Sequence, residues 1–80
     1  MKKIDFINLI ENGSDIMLTV LGKNYTILTW TDDGIAIGEQ YPNDGDLRHY
    51  ATATELVNDF TVNGTPIGDL VDAVTITQYS

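Results

Sequence analysis

Two closely spaced turn signals constrain this chain more than anything else in it. Gly22-Lys23 fits a two-residue hairpin turn with glycine first, and Asp32-Asp33-Gly34 is a second, stronger hairpin signal. The flanking stretches are residues 16–21 (IMLTVL), 24–31 (NYTILTWT) and 35–41 (IAIGEQY). They are rich in β-branched and aromatic side chains, which suit a pleated, half-buried surface. Together they predict a three-stranded antiparallel meander. Side chains alternate across a strand, so Thr26, Leu28 and Trp30 share one face. Trp30, alternating with Leu28, is expected in the core. Gly38 marks a bulge in the third strand.

A helix is expected before the meander. In residues 2–11, KKIDFINLIE, the residues Ile4, Ile7 and Ile10 are spaced by three, and Phe6 and Leu9 widen the stripe. Asn12-Gly13 reads as its stop, because both residues tolerate a left-handed backbone. After the meander, Pro42-Asn43-Asp44-Gly45-Asp46 is a loop, and residues 47–51 (LRHYA) offer a short fourth strand. Thr52 and Glu55 match a capping box for a helix over 53–60 that buries Leu56, Val57 and Phe60. Asn63-Gly64 is a turn. Thr65-Pro66 reads as a helix start, since proline suits the first helical position, and predicts a short helix over 66–72. Residues 73–78 (AVTITQ) close the chain as a strand in which Val74 and Ile76 alternate with Thr75 and Thr77. The expected class is α+β. A small antiparallel sheet, the meander plus one or two further strands, packs on one face against two or three short helices. Eighty residues make a single domain, 1–80, with one modest core.

The chain has no cysteine, which excludes disulfides and thiolate chemistry and leaves packing to hold the fold. No stretch approaches the length of a membrane span, and Asp5, Asn8 and Glu11 interrupt any leader-like apolar run, so a cytoplasmic protein is expected. The sequons at Asn12, Asn24 and Asn63 are then turn chemistry rather than glycosylation sites.

The formal net charge is −8, and it is unevenly spread. In residues 1–30, Lys2, Lys3 and Lys23 balance Asp5, Glu11 and Asp15. In residues 31–80, Arg48 stands alone against Asp32, Asp33, Glu39, Asp44, Asp46, Glu55, Asp59, Asp69 and Asp72. Such a surface repels nucleic acid and anionic membranes, and its natural partner is a basic protein surface or a cation. The bland account of these carboxylates is a solvated face that keeps a small domain soluble; against it stands the lack of interspersed lysine.

Catalytic material is thin. His49 is the only histidine, and the two serines, Ser14 and Ser80, lie in a turn and at the terminus. No glycine-rich phosphate loop exists. Asp32-Asp33 and Asp44-Asp46 lack the spacing and the distal glutamate of a calcium loop, so turn chemistry accounts for them. The expectation is no enzyme, no metal and no cofactor.

The stretch DFINLIENGSDIMLTVLGKNYTILTWTDDGIAIGEQY, a short helix followed by a three-stranded meander in an acidic domain, resembles the type II-A anti-CRISPR proteins. These are small phage-encoded inhibitors of CRISPR-Cas nucleases. The resemblance rests on element order and charge. It implies a DNA mimic whose carboxylates occupy the basic site that reads the PAM duplex, where Arg and Lys hold phosphates and guanines. The second half, ATATELVNDFTVNGTPIGDLVDAVTITQ, resembles small uncharacterised proteins of Gram-positive bacteria and their phages, which implies no activity.

The leading expectation is an acidic inhibitor that occupies a basic groove, such as that of a Cas9-type nuclease, with no direct binding to nucleic acid. Its candidate contacts are Asp32, Asp33, Glu39, Asp44 and Asp46, clustered at strand ends and in the loop, extended by Asp59, Asp69 and Asp72. The alternative is an interaction module that oligomerises through a sheet edge or through an apolar patch such as exposed Trp30 and Tyr41. A small hydrolase would instead need carboxylates converging on His49.

Overall fold

The computed structural model describes residues 1–40 and 47–80. The expected loop at 42–46, with Asp44 and Asp46, and Tyr41 lie outside the described residues. The chain runs α1 (Lys3–Asn12), β1 (Asp15–Val20), β2 (Lys23–Thr31), β3 (Gly34–Glu39), β4 (Arg48–Tyr50), α2 (Ala53–Asp59), β5 (Thr61–Val62), β6 (Thr65–Pro66), a 3-10 helix (Ile67–Ala73) and β7 (Val74–Tyr79). The meander forms as expected and gains a strand on each side. The antiparallel sheet has the order β4-β3-β2-β1-β7, and β5 and β6 make a separate small hairpin. The fold is α+β.

Register explains which side chains meet. Ile16 pairs with Ile27 and Leu18 with Tyr25, while Ile27 pairs with Ile37. These residues face the helices and are buried together with Phe6, Ile10, Leu56, Val57, Val62 and Ile67. Tyr25 also meets Phe60 edge-on, with ring centroids 5.5 Å apart. Each fully buried aliphatic side chain contributes about 2 kcal/mol of transfer free energy, so this one core carries most of the driving force.

Several local expectations are corrected. Trp30 is not in the core: it is 65% exposed. Thr26 and Leu28 do lie on one face, but Tyr25 and Ile27 are the residues of this strand that sit in the core, so the Thr26–Leu28 face looks away from the helices. The first hairpin turns at Leu21-Gly22 rather than Gly22-Lys23, with φ of 51° and 78°. Both corners are left-handed, as a turn that matches strand twist requires. This register leaves Thr29 free to reach back to the end of α1, where its N–H donates to the Ser14 carbonyl and its hydroxyl donates to the Gly13 carbonyl.

Gly13 is extended, not left-handed (φ −98°). It is glycine for space, because a Cβ there would sit 2.9 Å from both Ile16 and Tyr79 side chains. The bulge is in β2 rather than at Gly38. Leu28 pairs with Ala36 and Thr31 with Gly34, so Thr29 and Trp30 together oppose Ile35, while Gly38 pairs regularly with Thr26. The short helix expected over 66–72 forms as a 3-10 helix at Ile67–Ala73, with Pro66 as its N-cap; Thr65–Pro66 also serves as the return strand of the small hairpin. The Thr52 cap is present: its hydroxyl accepts from the Glu55 N–H at 3.1 Å.

Candidate functional site

α1, α2 and the 3-10 helix pack against one another over one face of the sheet. The apolar stripes that bury Phe6, Ile7 and Ile10 in α1, and Leu56 and Val57 in α2, turn the polar sides of these helices outward. Asp5, Glu11, Glu55, Asp59, Asp69 and Asp72 are all exposed on this layer. Asp5 accepts from the Lys2 N–H at 3.1 Å, and Asp59 Oδ2 accepts from the Tyr50 hydroxyl at 2.9 Å. Among the described residues no side-chain hydrogen bond involves Glu11, Glu55, Asp69 or Asp72 as a side-chain acceptor. Lys3 bridges α1 to α2 through the Asn58 amide oxygen rather than through a carboxylate.

The expected site residues therefore separate. Asp59, Asp69 and Asp72 belong to the helix layer. Asp32 and Asp33 form the β2–β3 turn, both exposed, at one end of β3. Glu39 ends β3 at the opposite end. There it lines, with Lys23, Tyr25, Arg48, Phe60 and Asn63, an open cleft of about 450 Å³. That cleft holds two of the four basic residues, so Glu39 is in a mixed environment rather than an acidic patch. Burial, then the charge of Glu39, raises the Tyr25 phenol above its ordinary value. Burial, then the bond to Asp59, raises Tyr50, with Arg48 partly opposing. Asp5 and Glu11 escape a count of charge by chain segment, because Lys2, Lys3 and Lys23 balance the first thirty residues; Lys2, the N-cap, and Lys3 lie with them at α1, while Lys23 lines the cleft. Helical spacing groups the others: Glu55 and Asp59 are four apart in α2, and Asp69 and Asp72 three apart in the 3-10 helix.

The other face of the sheet is uncovered by helices. Its rows follow from the pairings: Thr75-Thr19-Asn24, Gln78-Met17-Thr26-Gly38, and Asp15-Leu28-Ala36-His49. Asp15 is the only carboxylate in them. His49 is exposed at the β4 edge, two strands beyond Leu28 and so roughly 14 Å across the sheet from Asp15. Trp30 stands at the end of this face, where its indole N–H donates to Asp15 Oδ1 at 2.7 Å. Among the described residues no group of three or more His, Asp or Glu is placed to hold a metal ion, and no helix is long and apolar enough to cross a membrane.

Fold and surfaces together define a small α+β domain with an acidic helix layer and a nearly uncharged sheet face. No protein-family model, curated protein or solved structure matches the chain.

Proposed function

We propose that the chain is an acidic protein-binding inhibitor that mimics nucleic acid and occupies a basic groove of a nucleic-acid-binding protein, as in anti-CRISPR inhibition of a Cas9-type nuclease. It acts by occupancy, without chemistry of its own, in the cytoplasm. The observation that supports this is the layer of exposed carboxylates, Asp5, Glu11, Glu55, Asp59, Asp69 and Asp72, on helices that face solvent. Grooves built for duplex are lined by Lys and Arg, which hold phosphates largely through charge. Carboxylates on a rigid helical layer offer such a groove the same sign of charge. Asp32 and Asp33 add two more at the sheet end.

The test is binding to a guide-loaded Cas9-type nuclease at two salt concentrations, with PAM-containing duplex as competitor. Expected are strong binding at low salt, steep weakening at high salt, competition by the duplex, and loss of affinity in Asp69→Asn/Asp72→Asn and Asp32→Asn/Asp33→Asn variants. Affinity that stays flat with salt, or survives both double variants, rules the reading out.

A second reading, an interaction module that oligomerises through a sheet edge, is favoured by β7. Val74–Tyr79 is six residues long, carries no charge and forms the last strand of the sheet. Edges of this kind pair readily with another chain unless they are blocked. Light scattering decides it: a dimer that Thr77→Pro disperses supports the reading, and a monomer at every concentration rejects it.

A further inference from the structure

Trp30 is the least expected residue on the surface. Most large apolar side chains among the described residues are buried or half-buried, yet this indole is 65% exposed. It is also not free to wander. The bulge in β2 sets Thr29 and Trp30 against the single residue Ile35, and bulges of this kind re-aim a side chain. The bond from its N–H to Asp15 then fixes the ring. An indole N–H lies in the ring plane, so this bond itself occupies neither π face of a side chain that is mostly exposed. The carboxylate at the ring edge also keeps the local potential negative. Two more carboxylates, Asp32 and Asp33, follow within three residues along the chain, and both are exposed. The half-buried side chains of Met17 and Leu28 lie on the same sheet face.

We propose that the Trp30 end of the uncovered sheet face is a docking site for an arginine-bearing segment of a basic protein partner. The inference rests on the basic-partner reading above and names the contact that reading lacks. Three properties select the occupant. An electron-rich indole face attracts a cation, and arginine's planar guanidinium stacks on it better than a lysine ammonium does. Asp15, Asp32 and Asp33 give charge complementarity and repel a phosphate backbone, which excludes nucleic acid stacked on the ring. They equally oppose a second copy of this chain, which would bring the same three carboxylates. Met17 and Leu28 offer apolar surface to the methylene stem of the arginine. Because the ring is already held in place, little side-chain freedom is lost on docking.

Trp30 is the only tryptophan in the chain, so its emission reports on this site alone. Oligoarginine, oligolysine and oligocitrulline peptides of equal length are titrated against the full-length protein while indole fluorescence is followed. Oligoarginine should change the emission and bind about five-fold more tightly than oligolysine, an advantage of the size expected for one stacked guanidinium. Oligocitrulline should leave the emission unchanged. Trp30→Ala should erase the preference for arginine over lysine, measured by calorimetry, and Trp30→Phe should retain part of it. If both cationic peptides bind equally and the emission does not move, the inference is overturned while the basic-partner reading stands. If neither cationic peptide binds at low salt, both are overturned.

Discussion

Tyr50 shows how one residue ties the sheet to the helix layer. It lies in the shortest strand of the sheet, pairs with Ile35, and is buried with its hydroxyl donating to Asp59 at the end of α2. Ionising it would put a phenolate beside a carboxylate in a partly dry site. Burial first, and the bond to Asp59 second, therefore raise its pKa above 10.0 in the folded state, and burial does the same for Tyr25. The sign follows from linkage. Below pH 10 both states are protonated and the contribution is fully present. As pH rises further the unfolded chain releases its protons first, so stability falls through the folded-state pKa values. Urea denaturation at a series of alkaline pH values should show this loss, and Tyr50→Phe should make it shallower. A slope that is identical in wild type and variant would refute the assignment. Neither the Tyr50–Asp59 bond nor the Trp30–Asp15 bond was legible in the sequence. Each joins residues on different elements, and only the register decides that they meet.

At the scale of elements, local chemistry was legible where the signal is held within a few residues. The Thr52 cap, the Asn63-Gly64 turn and the meander all stand where propensity and turn chemistry put them. What failed depends on longer-range fit. The first hairpin is the clearest case. Glycine at its first corner favoured Gly22-Lys23, yet Leu21 takes φ of 51° so that Ile16 pairs with Ile27 and Leu18 with Tyr25. A left-handed leucine costs on the order of 1 kcal/mol. The buried cross-strand pairs, together with the Thr29 bonds back to Ser14 and Gly13, outweigh that. Leu21 is exposed, so replacing it loses little packing. Leu21→Asn creates the Asn-Gly pair that such turns prefer. It should raise unfolding free energy by about 0.5–1 kcal/mol, read from denaturant midpoints at unchanged slope. A destabilised variant would mean that the turn is not left-handed at both corners. Pro66 fills two roles: its fixed φ suits a strand end as well as a helix start, so it pairs with Thr61 and caps the 3-10 helix that follows.

At the scale of the whole molecule, the sequence showed how much charge there is, and the fold decides which elements share it. Counting along the chain put the acidity after residue 31, from the Asp32-Asp33 turn to Asp72; folding adds Asp5 and Glu11, with Lys2 and Lys3, to the helix layer that carries Glu55, Asp59, Asp69 and Asp72, and leaves the sheet face almost neutral. Like charges on packed helices repel one another, and at a net charge of −8 that repulsion opposes the compact state. Salt should relieve it. The screening length falls from about 30 Å at 10 mM to about 8 Å at 150 mM, shorter than the span of the layer. The unliganded protein should therefore melt at a higher temperature in 150 mM than in 10 mM sodium chloride, by a few degrees if the relief is about 1 kcal/mol. Glu55→Gln/Asp69→Asn/Asp72→Asn should raise the low-salt melting temperature and flatten the dependence. Asp59 is left out of this variant because its bond to Tyr50 would be lost with the charge. The same variant should weaken a basic partner most at low salt, where the unmodified layer binds best. Stability and partner binding then move in opposite directions with one change, as expected of carboxylates held on a surface for an incoming cation rather than for the fold. A melting temperature that ignores salt in both proteins would mean that these side chains are too far apart to act as one layer.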